Sequence, residues 1–238
     1  PDGYTLFMAT IANTLNPAQT KSTFNLGKDL APIALLGVVP NVLVAHPSVP
    51  ANTLKELIAL AKSKPEGLTF GSSGSGTASH LAAALFNEKA GTKILIAPYQ
   101  GGSNQAVTDL LAGRITLMFN VAATLNPHVE AGKLKAFAVA QSKRAAIMPN
   151  VPTLAEAGMT GYDAGIWIGL LAPAGMPPAI VEKLSVAANE ALKTEDIQTT
   201  LKRQGTDPLG STPKEFTDFI RADIEKWVAA LTAAGLRK

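Results

Sequence analysis

The 238-residue sequence predicts an α/β protein built on a sheet rich in parallel strands. The first reason is that short apolar runs alternate with longer amphipathic segments, which is the pattern of successive strand–helix units. The second is that several of these runs are apolar throughout, as expected of strands buried on both faces. The third is that polar residues follow three of the runs, where ligands bind in open α/β sheets. The length allows one large domain or two small ones.

The first part of the chain predicts three strands and one helix, in the order Tyr4–Met8, Ile33–Val38, Val42–Ala45 and Thr53–Lys64. The helix begins with a capping box formed by Thr53 and Glu56. A polar segment, Thr10–Pro17, follows the first strand. Its Thr10 and Asn13 are interpreted either as a strand-to-helix cap or as a polar wall of a ligand site at the end of that strand.

Residues 68–91 are the most informative stretch of the sequence. They predict a strand at Leu68–Phe70, a loop of glycines and serines, and a helix that begins near Thr77 and ends at Gly91. The first turn of a helix carries N–H groups without intrahelical partners, and the helix dipole favours negative charge there. We therefore predict an anion site at this loop.

Two kinds of residue support the anion site: glycines that allow close backbone approach, and hydroxyl donors. The residues concerned are Gly71, Gly74, Gly76, Ser72, Ser73, Ser75, Thr77 and Ser79. The alternative interpretation is a flexible turn with a serine cap. The loop has neither the lysine of a phosphate-binding P-loop nor the glycine spacing of a dinucleotide-binding turn, so a nucleotide is not favoured.

The second half of the chain continues the alternation. Strands are predicted at Lys93–Ala97, Ile115–Phe119, Leu134–Ala140 and Ile166–Ala172. Helices are predicted at about Asn104–Ala112, before Gly132, and at Thr153–Gly158, Pro177–Lys193, Asp196–Gln204 and Thr212–Leu231. The last helix has an apolar stripe, and we place Asp223 at the solvated edge of that stripe. The long C-terminal helices indicate a second packing layer or a second domain.

Polar residues end three of the predicted strands, at Gly71, at Tyr99-Gln100-Gly101 and at Asn120. We expect these strand ends to lie at one edge of a sheet and to form a ligand site there. Trp167 is interpreted either as a core residue or as a residue that lines a cleft between domains. His80, near the start of the central helix, is interpreted either as a satisfied polar residue or as an aid to anion binding.

The composition argues against several classes of function. The net charge is +3 without a run of lysine or arginine, which argues against a dedicated nucleic-acid surface. There is no cysteine, so disulfides and thiol catalysis are excluded. The three histidines have no partner at metal-binding spacing, and no nucleophile motif is found. We therefore predict a binding protein rather than an enzyme, with no catalytic residue, metal or cofactor.

Seven blocks of the sequence, in order and over essentially the whole chain, resemble a known family. They are residues 1–6, the Asn16-Pro17 pair, residues 74–81, residues 99–113, residues 132–136, residues 151–158 and residues 167–175. The family is that of the solute receptors of tripartite tricarboxylate transporters, the Bug-type periplasmic binding proteins.

The resemblance implies two α/β domains of the type II binding-protein kind, which close on a ligand like a clamshell. Residues 1–43 and 167–238 would form domain I, and residues 44–166 would form domain II with the Gly/Ser loop. It also implies that domain I lacks an initial strand–helix unit that relatives have. From this we expect low stability, self-association through this incomplete domain, or completion by another chain.

The resemblance further implies a periplasmic receptor for a small carboxylate, a di- or tricarboxylate or related organic acid. Its other partners would be the membrane components of a tripartite tricarboxylate transporter. Asn120 stands where many relatives carry an aspartate, so we expect a different ligand preference. The predicted ligand contacts are Thr10, Asn13, Ser73, Gly74, Ser75, Gly76, Thr77, Ser79, Tyr99, Gly101, Asn120 and Trp167.

Two alternative functions come from other classes. One is the ligand-sensing domain of a regulator, although no helix-turn-helix segment supports it. The other is a small-molecule transferase that would bind phosphate at the Gly/Ser loop.

Overall fold

The computed structural model describes residues 2–14, 24 and 26–233. Their contacts group into two compact units. Unit 1 comprises Pro1–Val39 and Ile166–Lys238, and unit 2 comprises Pro40–Gly165. The sequence-based domain division, 1–43 with 167–238 and 44–166, stays a prediction, and the two units are described separately. The predicted α/β class is confirmed, because each unit contains a sheet covered by helices.

The elements are named in chain order. They are β1 (Phe7–Thr10), α1 (Leu26–Asp29), β2 (Leu30–Val39), β3 (Asn41–Ala45), α2 (Leu54–Ser63), a 3₁₀ turn (Pro65–Gly67), β4 (Thr69–Ser72), α3 (Ala78–Ala90), β5 (Leu95–Pro98), α4 (Gly102–Leu111), β6 (Leu117–Val121), α5 (Ala122–Glu130), β7 (Lys135–Val139), β8 (Ile166–Pro173), α6 (Pro178–Lys193), α7 (Glu195–Arg203), β9 (Asp207–Pro208) and α8 (Pro213–Ala233).

The sheets contain fewer parallel pairs than predicted. In unit 1 the strand order is β1-β8-β2-β9, and every neighbouring pair is antiparallel. In unit 2 the order is β5-β4-β6-β3-β7; β4 pairs in parallel with β5 and β6, whereas β3 pairs antiparallel with β6 and β7. The prediction of a parallel-rich sheet was therefore wrong. Strand β3 is fully buried, and an apolar strand buried on both faces has the same sequence pattern in either direction.

The sheet of unit 2 carries helices on both faces. On one face Phe70 of β4, Phe119 of β6 and Phe86 of α3 pack with ring centroids 5.5–6.0 Å apart. On the other face Met118 of β6 lies in an apolar cluster with residues of α4, among them Ala106 and Leu110. Residues alternate between the faces of a strand, so β6 contributes Phe119 to the α3 face and Met118 to the α4 face.

The core of unit 1 is organised around a buried carboxylate. Asp223 of α8 is 3% exposed. It accepts hydrogen bonds from the indole N–H groups of Trp167 (2.8 Å) and Trp227 (3.0 Å) and from the hydroxyl of Thr14 (3.1 Å), and Lys226 Nζ lies 2.7 Å from it. The predicted position at a solvated helix edge was wrong. Helical periodicity shows where Asp223 lies on α8, but it cannot show that donors from two distant segments converge on it.

Three local predictions also need correction. The first strand is Phe7–Thr10 rather than Tyr4–Met8, and Tyr4 is exposed. Asn120 lies inside β6 instead of following the strand. Thr153–Gly158 forms the predicted Thr153–Glu156 capping bonds, but the segment is a turn that ends at Gly158 with a positive φ of 103° and never becomes a helix. Part of the segment Thr10–Pro17 lies outside the described residues.

We predict that unit 1 depends on Asp223. Asp223→Ala should lower the free energy of unfolding by about 3 kcal/mol, because it leaves two buried indole N–H groups and a lysine without their acceptor. Urea unfolding followed by tryptophan fluorescence measures this directly, since both tryptophans of the chain contact Asp223.

The matched control is Asp218→Ala on the same helix. Asp218 is exposed and pairs with Lys214, so the change should stay below about 1 kcal/mol. If both substitutions lower the free energy of unfolding equally, the buried network of Asp223 contributes no more to stability than the exposed ion pair of Asp218.

Candidate functional site

The carboxyl ends of β4, β5 and β6 lie together at one edge of the unit 2 sheet, here called the loop edge. Helix α3 follows β4 through residues 73–77, and α4 follows β5 through residues 99–101. Gly71 lies within β4, where an added Cβ would come within 2.2 Å of Ile115 Cδ1. The structure therefore gives Gly71 a packing role against Ile115, in place of the predicted role of letting a ligand approach the backbone.

The hydroxyl groups of the Gly/Ser loop bond to one another. Thr77 Oγ1 donates to the Gly74 carbonyl at 2.8 Å and accepts from the N–H of His80 as the N-cap of α3. Ser73 Oγ lies 2.9 Å from Ser79 Oγ and 3.2 Å from Thr77 Oγ1. The N–H of Ser73 also donates to Ser79 Oγ at 2.9 Å. The network closes the turn and places its hydroxyls at the start of α3.

This network limits which groups can donate to an anion. The hydroxyl hydrogen of Thr77 is used by Gly74, that of Ser73 by Thr77, and that of Ser79 by Ser73. Ser75 is exposed, and its hydroxyl lies outside this network. The N–H groups of Ala78 and Ser79 lie in the first turn of α3, where the helix supplies no acceptor. The arrangement can therefore accept an anion mainly through backbone N–H groups.

The loop before α4 is held by side chains that the sequence analysis did not identify. The hydroxyl of Tyr99 donates to Asp109 at 2.8 Å, and Asp109 pairs with Arg114. The hydrogen bonds from Tyr99 and Arg114 lower the pKa of Asp109, while burial raises the pKa of Tyr99. The N–H of Gly101 donates to Gln105 Oε1 at 3.1 Å. Positions 105 and 109 are one helical turn apart, a spacing that could have indicated a shared face.

Asn120 and His80 each have a buried nitrogen atom without a hydrogen-bond partner among the described residues, namely Asn120 Nδ2 and His80 Nδ1. Asn120 is 8% exposed. Burial lowers the pKa of His80, and a hydrogen bond with the Gly74 backbone opposes that shift. Both residues lie on elements that meet at the loop edge, β6 and the first turn of α3.

The other predicted contacts belong to unit 1. Asn13 Oδ1 accepts from the N–H of Thr10 at 2.9 Å, which is the capping role that the sequence left as one interpretation. Trp167 is 2% exposed, packs against Phe216 and Phe219, and donates to Asp223. The structure thus gives Trp167 the position of a core residue. Unit 2 brings together Ser73, Gly74, Ser75, Gly76, Thr77, Ser79, Tyr99, Gly101 and Asn120 along the loop edge.

Within residues 2–14, 24 and 26–233, no group of three or more His, Cys, Asp or Glu residues could hold a metal ion. In the same part of the chain, no helix combines the length and apolar character needed to cross a membrane.

Comparison with known proteins identifies close relatives of this sequence. The profile of the tripartite tricarboxylate transporter family receptors matches residues 1–236. Protein BugT of Bordetella pertussis is 32% identical over 99% of this chain and 73% of its own length. A UPF0065 protein of Pseudomonas sp. strain P51 is 34% identical over 84% of this chain. The chain spans 60% of the length of that protein.

The chain is also similar to solved structures over nearly its whole length. A TctC solute binding protein from Polaromonas has a TM-score of 0.88 at 28% identity, covering 98% of this chain and 79% of its own. Rpa4515 of R. palustris with adipate has a TM-score of 0.78 at 30% identity, covering 98% and 79%. MatC of Rhodopseudomonas palustris with bound malate has a TM-score of 0.73 at 30% identity, covering 97% and 80%.

We predict a pH dependence of stability that arises from His80. Its pKa in the folded chain lies below the ordinary value of 6.5, so the unfolded chain binds more protons between the two values. The stability is therefore fully present above the unfolded-state pKa and falls as pH decreases through it. We expect the free energy of unfolding to fall from about pH 7.5 to about pH 5.5, above the range in which carboxylates titrate.

His80→Gln removes the titrating group and should flatten this part of the profile. Urea unfolding at several pH values checks the prediction. An unchanged slope in the His80→Gln variant would contradict it.

Proposed function

Because the chain belongs to the tripartite tricarboxylate transporter receptor family, we propose that it is an extracytoplasmic solute receptor for a small carboxylate. The ligand would be a dicarboxylate, a tricarboxylate or a related organic acid. The receptor would work in the periplasm and deliver the ligand to the membrane components of a tripartite transporter. Membership confirms the family that the residues predicted, and with it a receptor rather than an enzyme.

The observation that carries the proposal is the start of α3. A Gly/Ser loop without charged side chains leads into the unpaired N–H groups of a 13-residue helix. Such a helix start favours an anion through its N–H groups and its dipole. The binding of adipate by Rpa4515 and of malate by MatC supports a carboxylate as that anion.

In the proposed complex, one carboxylate lies at the start of α3 and accepts hydrogen bonds from backbone N–H groups within Gly74–Ala78. The hydroxyl of Ser75 adds another donor, whereas Ser73, Thr77 and Ser79 shape the loop. Each hydrogen bond to the charged group contributes about 1.5–3 kcal/mol, and the helix dipole adds about 0.3–1 kcal/mol. These contributions are large enough for binding without a cationic side chain.

The remaining proposed contacts serve the rest of the ligand. Tyr99 would contribute its ring, because its hydroxyl is already bonded to Asp109. Gly101 and Asn120 would contact the far end of the ligand. Thr10, Asn13 and Trp167, all in unit 1, stay sequence-based predictions of ligand contacts.

Isothermal titration calorimetry with matched mono-, di- and tricarboxylates tests the function. We expect saturable binding of at least one carboxylate with a stoichiometry of about one, and recovery of that carboxylate unchanged. Failure to bind any member of the panel, or its chemical conversion by the pure protein, would refute the proposal.

The loop itself is tested by Gly76→Ala. Gly76 has a φ of 72°, so a side chain there strains the loop that holds the N–H groups in place. We expect the affinity for the bound carboxylate to fall tenfold or more, as calorimetry would measure.

Gly132→Ala is the matched control, because Gly132 has a φ of 68° but lies in the turn between α5 and β7. It should lower stability to a similar degree without changing affinity. If Gly76→Ala binds as tightly as the control variant, the loop is only a structural cap.

A further inference from the structure

His80 is the only titratable side chain in the stretch of sequence that forms the proposed anion site. Between Glu66 and Glu88 the chain contains no Asp, Glu, Lys, Arg, Cys or Tyr, and no other histidine. Histidine is the side chain whose ordinary pKa lies between pH 5 and pH 8. Any change of charge within this stretch near neutral pH must therefore come from His80.

The imidazole of His80 lies beside the Gly/Ser loop. His80 is the third residue of α3 after the N-cap Thr77, and its N–H donates to Thr77 Oγ1 at 3.5 Å. A hydrogen bond joins its ring to the Gly74 backbone. The residue is half-buried, and its Nδ1 atom is buried without a hydrogen-bond partner among the described residues. The ring is thus next to the loop whose N–H groups are proposed to hold the anion.

The surroundings of His80 in the free chain oppose a positive charge on its ring. Burial removes water from the ring and lowers its pKa below the ordinary value of 6.5. The N-terminus of α3 carries the partial positive charge of the helix dipole, which also disfavours an imidazolium. Both ring nitrogens become donors on protonation, and Nδ1 has no acceptor in the described part of the chain. His80 is therefore mainly neutral at pH 7.

The elements packed against α3 bring few charges near His80. Strands β4, β5 and β6 contain no acidic or basic side chain. Residues 159–165 also contact α3, because the hydroxyl of Tyr162 donates to the Ala82 carbonyl at 2.6 Å. Burial raises the pKa of Tyr162 well above its ordinary value, so this phenol is neutral. The only carboxylate of that segment is Asp163.

The loop before α4 is the other neighbour of the Gly/Ser loop. A Cβ added at Gly74 would lie 3.8 Å from the Tyr99 carbonyl oxygen. The hydroxyl of Tyr99 donates to Asp109, whose charge is balanced by Arg114. Among the described residues, no charged group contributes to the pKa of His80. An anion at the start of α3 would therefore supply the negative charge that the surroundings of the ring lack.

We propose that binding of a carboxylate at the start of α3 is coupled to the uptake of a proton by His80. This inference rests on the proposed function, which places the carboxylate there. The bound negative charge opposes the positive end of the helix dipole and favours the imidazolium, and the imidazolium in turn favours the anion. Such coupling is reciprocal, so the carboxylate raises proton affinity by the same factor by which the proton raises carboxylate affinity.

The pKa of His80 determines where on the pH scale the coupling acts. Because this pKa lies below 6.5 in the free chain, affinity is lowest above about pH 7.5 and rises as the pH falls through the pKa of the complex. A rise of one pH unit in that pKa corresponds to a factor of about ten between the neutral and protonated forms. We then expect about threefold tighter binding at pH 6 than at pH 8, with uptake of about half a proton at pH 6.

Calorimetry on the full chain tests the coupling with acetate, succinate, malate, adipate and citrate at pH 6 and pH 8. Titrations at pH 6 in two buffers of different ionisation enthalpy give the number of protons taken up. His80→Gln keeps a polar side chain that cannot titrate, so the threefold rise in affinity and the proton uptake should be lost. His128→Gln, in the last turn of α5, is the matched control and should behave as wild type. Protonation of the acids themselves affects all three proteins equally.

NMR titration of the histidine ring signals in wild type gives a measurement that does not depend on how a variant folds. We expect the pKa of His80 to rise by about one pH unit when the chain is saturated with the tightest-binding acid, and those of His46 and His128 to stay unchanged. A bound acid with an unchanged His80 pKa, or wild-type proton uptake in His80→Gln, would overturn the inference and leave the function intact. Failure of wild type to bind any of the five acids would overturn both.

Discussion

The parallel pairing of β4 with β5 and β6 determines where the candidate ligand contacts of unit 2 lie. Gly71 and Met118 are paired in this register, and Ile115 fills the space that a side chain at Gly71 would need. Stacking of Phe70 on Phe119, with centroids 5.6 Å apart, stabilises the same pairing on the opposite face. Because β4 and β5 also end side by side, α3 and α4 start from a common edge on opposite faces of one sheet. Two helix N-termini with favourable dipoles are thereby presented to the same region.

The buried polar groups of the two units differ in how fully they are hydrogen-bonded. In unit 1 the carboxylate of Asp223 is surrounded by donors from Thr14, Trp167, Trp227 and Lys226. Such a fully bonded network holds elements that are distant in sequence in one arrangement. In unit 2, nitrogen atoms of Asn120 and His80 are buried without a partner in the described part of the chain. Both residues are on elements that reach the loop edge, so these two buried nitrogen atoms lie on the elements of the proposed ligand site.

The sequence predicted local features well because local chemistry determines them. The bonds of the three capping boxes are present at Thr53, Thr153 and Thr212, and the Gly/Ser loop does lead from a strand into a helix. Strand direction could not be predicted, because a buried apolar run such as β3 has no directional pattern. The burial of Asp223 and the bond between Tyr99 and Asp109 were also missed. Each depends on side chains that only the folded chain brings together.

The hydroxyl donors predicted for the anion site show the same limit of prediction from sequence. The sequence indicated that serine and threonine collect at the start of α3, and they do. It could not indicate that Thr77 donates to Gly74 and that Ser73 and Ser79 bond to each other. The hydroxyls therefore build the loop, and the backbone N–H groups are left to meet the anion. A site made of neutral dipoles pays no cost of desolvating a buried cation, and it discriminates ligands by the number and position of their acceptors. In the proposed site, the N–H groups at the start of α3 determine where the acceptor atoms of the ligand must lie.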